Sequence, residues 1–367
     1  MLTKFQSCLA LIAVAFAIFA ASDGTAWFLT ASLATRALGS DSPRLFDRSR
    51  IHDLRVGEEF SLLAAGDIAS CDVDGIDRLR RNIGLAMGLK NTPLPPNKSM
   101  VVTTSILDQH PDLGVLALGD LAYNRGEPLA FQDCYDPFWG RAKARTWPTP
   151  GNHEYRSPGA FGYFDYWTER AGPDRNGYYA LRAGSWIILS LNSETDASDG
   201  SDQAVWLADI LAAHPEACIG AMFHRPAYSA VARGGSEAAK QLFARLADAG
   251  AVFVLNGHNH FLERTKPLDA GGTPATDGTT IFVAGAGGKV SGKPVVANER
   301  TAELITDTPG VLKLDFSSDA VGWSYLGENR IIPGSGALPC RRTPARATKT
   351  LSALKPPVTP AATFSQN

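Results

Sequence analysis

The sequence has almost no excess of charge of either sign, with 35 Lys and Arg residues against 37 Asp and Glu residues. The formal net charge of −2 gives no electrostatic footprint for nucleic acid and no basic patch for anionic lipid. No internal repeat is visible, which excludes a repeat architecture. With 44% apolar and 20% charged residues in a chain of 367, the composition is that of a globular protein with a large core.

The N-terminus is predicted to be an export signal. An apolar stretch at residues 8–21 follows Lys4, and it is too short for a confident membrane span. Small residues at positions 20–22 offer a cleavage site, so residues 1–22 are interpreted as a signal peptide. We therefore expect a secreted or periplasmic protein with no stable membrane partner after cleavage. The alternative is an uncleaved membrane anchor, because apolar character resumes at residues 27–29.

The remainder of the chain alternates short apolar runs with helical segments and loops, which favours an α/β architecture. Strands are predicted at residues 60–65, 115–118, 186–191, 218–223, 251–255, 280–284, 311–316 and 322–326. Helices are predicted at 74–89, 101–109, 202–213 and 236–248, and loops at 268–279 and 288–309. Residues 23–57 are interpreted as a leader, 58–338 as one ordered domain, and 339–367, rich in Pro, Ala and Thr, as a disordered tail.

The segment that points most directly to chemistry is Gly-His-Asn-His at residues 257–260, just after the predicted strand 251–255. In an extended segment, residues two apart face the same way, so His258 and His260 can point at one site. Imidazole is a common metal ligand, but one His-x-His segment is weak evidence by itself. A metal site therefore requires further ligands from other parts of the chain.

Four earlier segments supply such residues, each after an apolar run or in a turn. They are Asp67, Asp120 with Tyr123, Asn152 with His153, and His224. Apart from His153, these residues and the two histidines make two carboxylates, one phenol, one amide and three imidazoles. A single zinc ion usually takes four ligands, so this set fits two metal ions that share a carboxylate. The phenolate favours Fe(III), and the nitrogen-rich half favours Zn, Mn or Fe(II).

Four cysteines remain if Cys8 is removed with the signal, an even number that suits an oxidising compartment. Cys71 and Cys134 each follow a proposed metal loop, and this pair is the favoured disulfide. Cys218 begins an apolar run and is equally compatible with a buried thiol. The partner of Cys340 is left open.

The ordered set of motifs resembles the calcineurin-like metallophosphoesterases, specifically the purple acid phosphatase-like branch. That branch carries Gly-Asp-x-Gly, Gly-Asp-x-x-Tyr, Gly-Asn-His-Glu, a strand-end His and Gly-His-x-His in this order. All five are present here, with Ala69 in place of the last Gly of the first motif. Gly-Ala-Gly-Gly at residues 285–288 resembles a further landmark. The resemblance implies two mixed β-sheets packed as a sandwich and flanked by helices, with residues 58–338 as the catalytic domain.

The resemblance also divides the seven residues between two metal sites that share Asp120. One site is Asp67, Asp120, Tyr123 and His260, and the other is Asp120, Asn152, His224 and His258. The implied activity is hydrolysis of a small phosphorylated substrate, a phosphomonoester, with metal-bound hydroxide as the nucleophile. The alternatives are a phosphodiesterase or nucleotidase on the same centre, or a non-catalytic exported metal-binding protein. The last is disfavoured because no ligand position is lost.

Two further residues are predicted to act on the substrate. His153 is expected to donate a proton to the leaving group or to contact the phosphate, with Glu154 orienting it. The alternative for His153 is a hydrogen-bonding role behind the ligands. Arg225 stands where relatives often carry a histidine, and it is predicted either to hold a phosphate oxygen or to point into solvent.

Overall fold

The computed structural model describes residues 51–71, 75–89, 93–231, 235–291, 293–328 and 330–341. The predicted signal peptide, most of the predicted leader and residues 342–367 of the predicted tail lie outside the described residues. In the part of the chain that is described, no helix is long and apolar enough to cross a membrane.

The described residues form two mixed β-sheets of eight and six strands. The strands of the larger sheet are β1 (Ile51–Asp53), β5 (Tyr179–Ala183), β6 (Trp186–Ser190), β7 (Cys218–Met222), β8 (Phe253–Asn256), β9 (Leu262–Thr265), β10 (Thr280–Ala284) and β11 (Thr301–Ile305). Those of the smaller sheet are β2 (Phe60–Ala65), β3 (Gly114–Leu118), β4 (Thr146–Thr149), β12 (Val311–Phe316), β13 (Ala320–Gly327) and β14 (Arg330–Pro339). The spatial orders are β1-β5-β6-β7-β8-β10-β9-β11 and β14-β13-β12-β2-β3-β4.

Helices lie between the strands and cover the outer faces of the sheets. They are α1 (Gly75–Ala86), α2 (Lys98–Gln109), α3 (Pro128–Ala130), α4 (Phe161–Trp167), α5 (Asp202–Ala213) and α6 (Glu237–Asp248). The four longest helices correspond to the four predicted from periodicity. As the sequence predicts, Ser236 caps α6, because its hydroxyl accepts the backbone N–H of Ala239 at 3.1 Å.

The two sheets pack against each other through one apolar core, to which both contribute large side chains. Leu116 and Phe316 come from the smaller sheet, and Trp186, Phe253 and Phe282 from the larger. Every residue of β6, β7 and β10 is buried, as expected for central strands covered on both faces. The predicted sandwich of two mixed sheets flanked by helices is confirmed.

Parallel pairing places the ends of several strands at one edge of the sandwich. In the larger sheet β7, β8 and β10 are parallel neighbours, and in the smaller sheet β2, β3 and β4 are. The carboxyl ends of parallel strands meet at the same edge of a sheet, so the loops that follow them can contact one another.

Six strands lie where the sequence predicts none: β1, β4, β5, β9, β11 and β14. Three of them, β1, β11 and β14, correct the predicted boundaries. β1 lies inside the predicted leader, and its three residues are too few to show a periodic pattern. β11 lies inside the predicted loop 288–309, whose Gly and Pro residues hide it. β14 extends to Pro339, past the predicted end of the domain, because its pairing with β13 tolerates Gly334 and Gly336.

Two disulfides hold the ordered domain together. Cys71 bonds to Cys134, which confirms the favoured pair, and Cys218 bonds to Cys340. The alternative of a buried thiol at Cys218 is therefore wrong, and the predicted start of the tail at residue 339 is too early. Disulfides form and persist in oxidising surroundings, so this pair of bonds indicates such a compartment.

Candidate metal centre

Five loops that follow strands bring the predicted ligands together. β2 leads to Asp67, β3 to Asp120, β4 to Asn152, β7 to His224 and β8 to His258. Asp67, Asp120 and His258 have left-handed backbone conformations, with φ of 60°, 51° and 70°. A non-glycine residue in this region costs roughly 1–3 kcal/mol, and such residues cluster at functional sites. The three residues thus adopt a strained backbone conformation, which directs their side chains toward one another.

Glycines in the ligand motifs let these loops approach one another closely. A Cβ atom on Gly151 would overlap the backbone nitrogen of Asp120. One on Gly257 would lie 2.8 Å from Oδ2 of Asp67 and 2.7 Å from the carbonyl oxygen of Leu118. Only glycine fits at these separations, because any side chain would push the loops apart.

One group of ligands surrounds the hydroxyl of Tyr123. This hydroxyl lies 2.7 Å from Oδ1 of Asp67, 3.2 Å from Oδ2 of Asp120 and 3.3 Å from Nε2 of His260. Nε2 of His260 is itself 3.2 Å from Oδ1 of Asp67. Three oxygens and one nitrogen therefore converge from three segments, in the set predicted for the first metal site.

The second group consists of Asp120, His224 and His258, whose ligand atoms all lie within 4.8 Å of one another. Nε2 of His224 is 3.3 Å from Oδ2 of Asp120 and 3.3 Å from Nδ1 of His258. Asn152 adds an unusual feature, because its Oδ1 is buried and accepts no hydrogen bond from any described residue. A buried acceptor without a partner is costly, and a cation beside Asp120 would satisfy it. The donor set therefore fits a second metal ion.

Hydrogen bonds behind the ligands fix which atoms face the centre. Nδ1 of His224 lies 2.8 Å from the carbonyl oxygen of Leu118, so it donates its proton there and leaves Nε2 as the nitrogen that could bind a metal ion. The backbone N–H of His258 donates to Oδ2 of Asp67 at 2.7 Å, which turns Oδ1 toward Tyr123. The ligands are thus oriented by the fold itself.

The pKa values of the residues in the centre are shifted by burial and by neighbouring charged groups. Burial, followed by the neighbouring His224, lowers the pKa of His258 to about 3. Burial opposes the charge of His224, but the Asp120 carboxylate together with Asp67 and Glu194 outweighs burial and raises the pKa of His224 to about 10. Burial, followed by Asp67, raises the pKa of Tyr123 well above its usual value. Metal binding must therefore displace protons from this site, as is usual for such ligands.

Residues 62–262, more than half of the chain, match the family profile described as calcineurin-like phosphoesterase. The chain belongs to the calcineurin-like phosphoesterase family. The fold of this family implies a dinuclear metal centre. This calcineurin-like phosphoesterase is accordingly a metal-dependent enzyme.

Solved structures show the same fold. Purple acid phosphatase PPD1 from yellow lupin (Lupinus luteus) seeds is 16% identical over 77% of this chain and 54% of that chain, with a TM-score of 0.59. GAP50, the anchor in the inner membrane complex of Plasmodium, is 12% identical over 78% of this chain and 90% of that chain, with a TM-score of 0.53. The phosphoesterase chain thus spans about half the length of the lupin phosphatase. Among curated proteins no match was found.

His153 of this phosphoesterase lies at the edge of the ligand cluster. Its backbone N–H donates to Oδ1 of Asp120 at 2.8 Å, and its Nε2 is 3.8 Å from Oδ2. Its Nδ1 lies 2.7 Å from the carbonyl oxygen of Asn124, which directs Nε2 toward the centre. The pKa of His153 is lowered, first by burial and then by the nearby positive charges of Arg156 and Lys289. The Asp120 carboxylate opposes this shift.

Glu154 does not orient the histidine before it, so that prediction is wrong. Its carboxylate is fully buried and accepts backbone N–H groups from Gly151 at 2.8 Å and Asp120 at 2.9 Å. It also accepts those of Leu121 at 2.8 Å and Ala122 at 3.3 Å. Burial, followed by the Asp120 carboxylate, raises its pKa to about 8, against these donors. Glu154 therefore joins the β3 and β4 ligand loops.

Arg225 does not point into solvent. Its Nε lies 2.9 Å and 3.0 Å from the two carboxylate oxygens of Glu194, and its Nη1 is 3.4 Å from Nε2 of His258. Sequence reasoning missed Glu194 as its partner, because the two residues lie 31 positions apart in the chain. The phosphate contact predicted for Arg225 stays a prediction.

Proposed function

We propose that this phosphoesterase is an exported phosphomonoesterase whose two metal ions are held by the seven predicted ligands. The observation that supports it most is the buried, unpartnered Oδ1 of Asn152 beside the cluster of Asp120, His224 and His258. Burying this oxygen without a cation costs free energy, so favourable packing alone does not account for its position. A cation bound next to this oxygen would remove that cost.

Export is supported by two features of the chain. The first is the apolar N-terminal stretch at residues 8–21 with small residues after it. The second is the pair of disulfides, which suits a secreted or periplasmic location. Residues 1–22 are proposed as the signal peptide, and an uncleaved anchor is the outcome that N-terminal sequencing of the exported protein would reveal.

The residues around the centre have different roles in phosphoryl transfer. Bound metal ions supply an activated water and neutralise charge on the phosphoryl oxygens. Asp120, whose Oδ2 borders both ligand groups, holds the two groups in register. Asn124 and Asp120 fix the orientation of His153, so that its imidazolium form can give the Nε2 proton to the departing alcohol and become the neutral ring.

The role of His153 can be tested with two leaving groups. An alkoxide needs protonation as it departs, whereas a nitrophenolate is stable without it. We expect His153→Asn to lower kcat for an alkyl phosphomonoester by about a hundredfold or more, and to affect the nitrophenyl ester much less. Steady-state rates on both esters, with His214→Asn as a control on a histidine outside the centre, provide the measurement.

Two results would count against the proposal in different ways. An equal loss on both esters would give His153 the alternative hydrogen-bonding role. Wild-type protein with bound metal that cleaves neither ester, but cleaves phosphodiesters, would replace the phosphomonoesterase by the alternative activity.

We further propose Fe(III) in the site that contains Tyr123, with Zn, Mn or Fe(II) in the other. A phenolate is a hard anionic ligand that suits Fe(III). The expected sign is a visible phenolate-to-iron charge-transfer band that disappears in Tyr123→Phe while the folded state is kept. An absorption spectrum with metal analysis checks this, and a colourless, fully active protein that holds only zinc or manganese would remove iron.

A further inference from the structure

The Gly-Ala-Gly-Gly segment at residues 285–288 lies directly against the metal centre, although none of the predicted ligands comes from it. A Cβ atom on Gly288 would overlap the carbonyl oxygen of Ile68, next to the first ligand of the chain. The backbone N–H of Gly287 donates to the carbonyl oxygen of Gly66 at 3.1 Å. The segment is therefore fixed on the loop that follows β2.

These contacts determine where Lys289 lies. On its other side the backbone N–H of Ser291 donates to the carbonyl oxygen of His260 at 2.7 Å, so both flanks of Lys289 are attached to ligand loops. The Nζ atom of Lys289 lies 3.6 Å from the centre of the Tyr123 ring. The ammonium group of Lys289 is thus held next to the proposed metal centre.

Lys289 lies at the side of the centre from which a substrate can enter. The side chains of Asp67 and His224 are fully buried, whereas those of His260 and His153 are 34% and 14% exposed. The ring of His153 is 4.4 Å, centre to centre, from the same Tyr123 ring that Lys289 covers. The ammonium group and the proposed proton donor therefore share one accessible edge.

We propose that Lys289 binds the phosphoryl group of the substrate and favours dianionic phosphomonoesters over monoanionic phosphodiesters. The inference rests on the proposed function of the same site and assigns its charge preference to one residue. An ammonium is a compact point charge with three donors, suited to a phosphate oxygen. A phosphomonoester carries close to two negative charges at neutral pH and a diester carries one, so the same cation attracts the monoester more strongly.

Lys289→Met removes the charge and keeps much of the length of the side chain. We expect it to weaken binding of inorganic phosphate to the metal-loaded protein by about tenfold or more, as for loss of a hydrogen bond to a charged group. The ratio of kcat/KM for a phosphomonoester to that for a phosphodiester is expected to fall at least about threefold. Lys289→Arg keeps the charge and should restore most of both quantities.

The measurements are calorimetric titration with inorganic phosphate, steady-state kinetics on both esters, and metal content of each variant. Lys293→Met is the matched control, because Lys293 is an exposed lysine of the same segment. Phosphate affinity and ester ratio equal to wild type, or a loss of affinity that only follows a loss of metal, would overturn the inference. Because calorimetry needs no turnover, an inactive wild-type protein would refute the proposed function and still leave the phosphate contact measurable.

Discussion

Replacing Asp120 by Asn is expected to abolish phosphomonoester hydrolysis and to reduce bound metal below two ions per chain. Oδ2 of Asp120 lies 3.2 Å from the Tyr123 hydroxyl and 3.3 Å from Nε2 of His224, so one oxygen borders both ligand groups. The substitution puts an amide in place of the carboxylate proposed as the shared ligand and removes the negative charge that both ligand groups border. Loss of contacts behind the ligands costs about ten- to hundredfold in metal affinity or activity, and loss of a shared ligand should cost more.

Initial rates and metal content of the same purified samples measure this effect. Asp307→Asn is a suitable control, because Asp307 is exposed and the charge change is identical. Wild-type protein and the control should retain both metals and activity. Full activity in Asp120→Asn would contradict the shared-ligand role.

Glu154→Ala is expected to destabilise the domain by about 3–5 kcal/mol. The substitution leaves buried N–H groups of the β3 and β4 loops without an acceptor, among them those of Asp120 and Gly151. Each unpaired buried donor costs about 1–3 kcal/mol, and relaxation of the loops recovers part of the sum. The same relaxation moves Asp120 and Asn152 apart, so metal affinity should fall with stability.

Denaturant unfolding monitored by intrinsic fluorescence gives the change in free energy. Glu169→Ala, at an exposed position, serves as the control for the loss of a glutamate. Glu154→Gln adds a stringent comparison, because it keeps the shape but replaces one acceptor oxygen by a donor. A Glu154→Ala protein as stable as the control would show that this carboxylate does not hold the loops together.

The convergence of the proposed ligands could be predicted from the sequence because each proposed metal-binding segment is local: an apolar run, a glycine, and a polar residue. Once several such segments occur in order, the parallel topology brings them together, as it does for Asp67, Asp120 and His258. The carbonyl contact of His224 and the unpartnered oxygen of Asn152 are properties of the folded loops, and no local pattern indicates them.

The parts that sequence reasoning missed depend on contacts between distant segments. Glu154 follows His153 in the chain, yet its carboxylate turns toward residues more than 30 positions earlier. Arg225 meets Glu194 across 31 positions, and Lys289 meets Tyr123 through a loop whose glycines only indicate a close approach. β14 was missed because Gly334 and Gly336 weaken its strand pattern, and only pairing with β13 supports it.

The most direct test is to titrate metal-stripped wild-type protein with metal while following the hydrolysis of a chromogenic phosphomonoester. Seven ligands in two groups that share Asp120 predict that the rate rises to a plateau at two ions per chain. Asp120→Asn should not reach that plateau at any metal concentration tested. Full activity without metal, or a plateau at one ion per chain, would contradict the dinuclear centre.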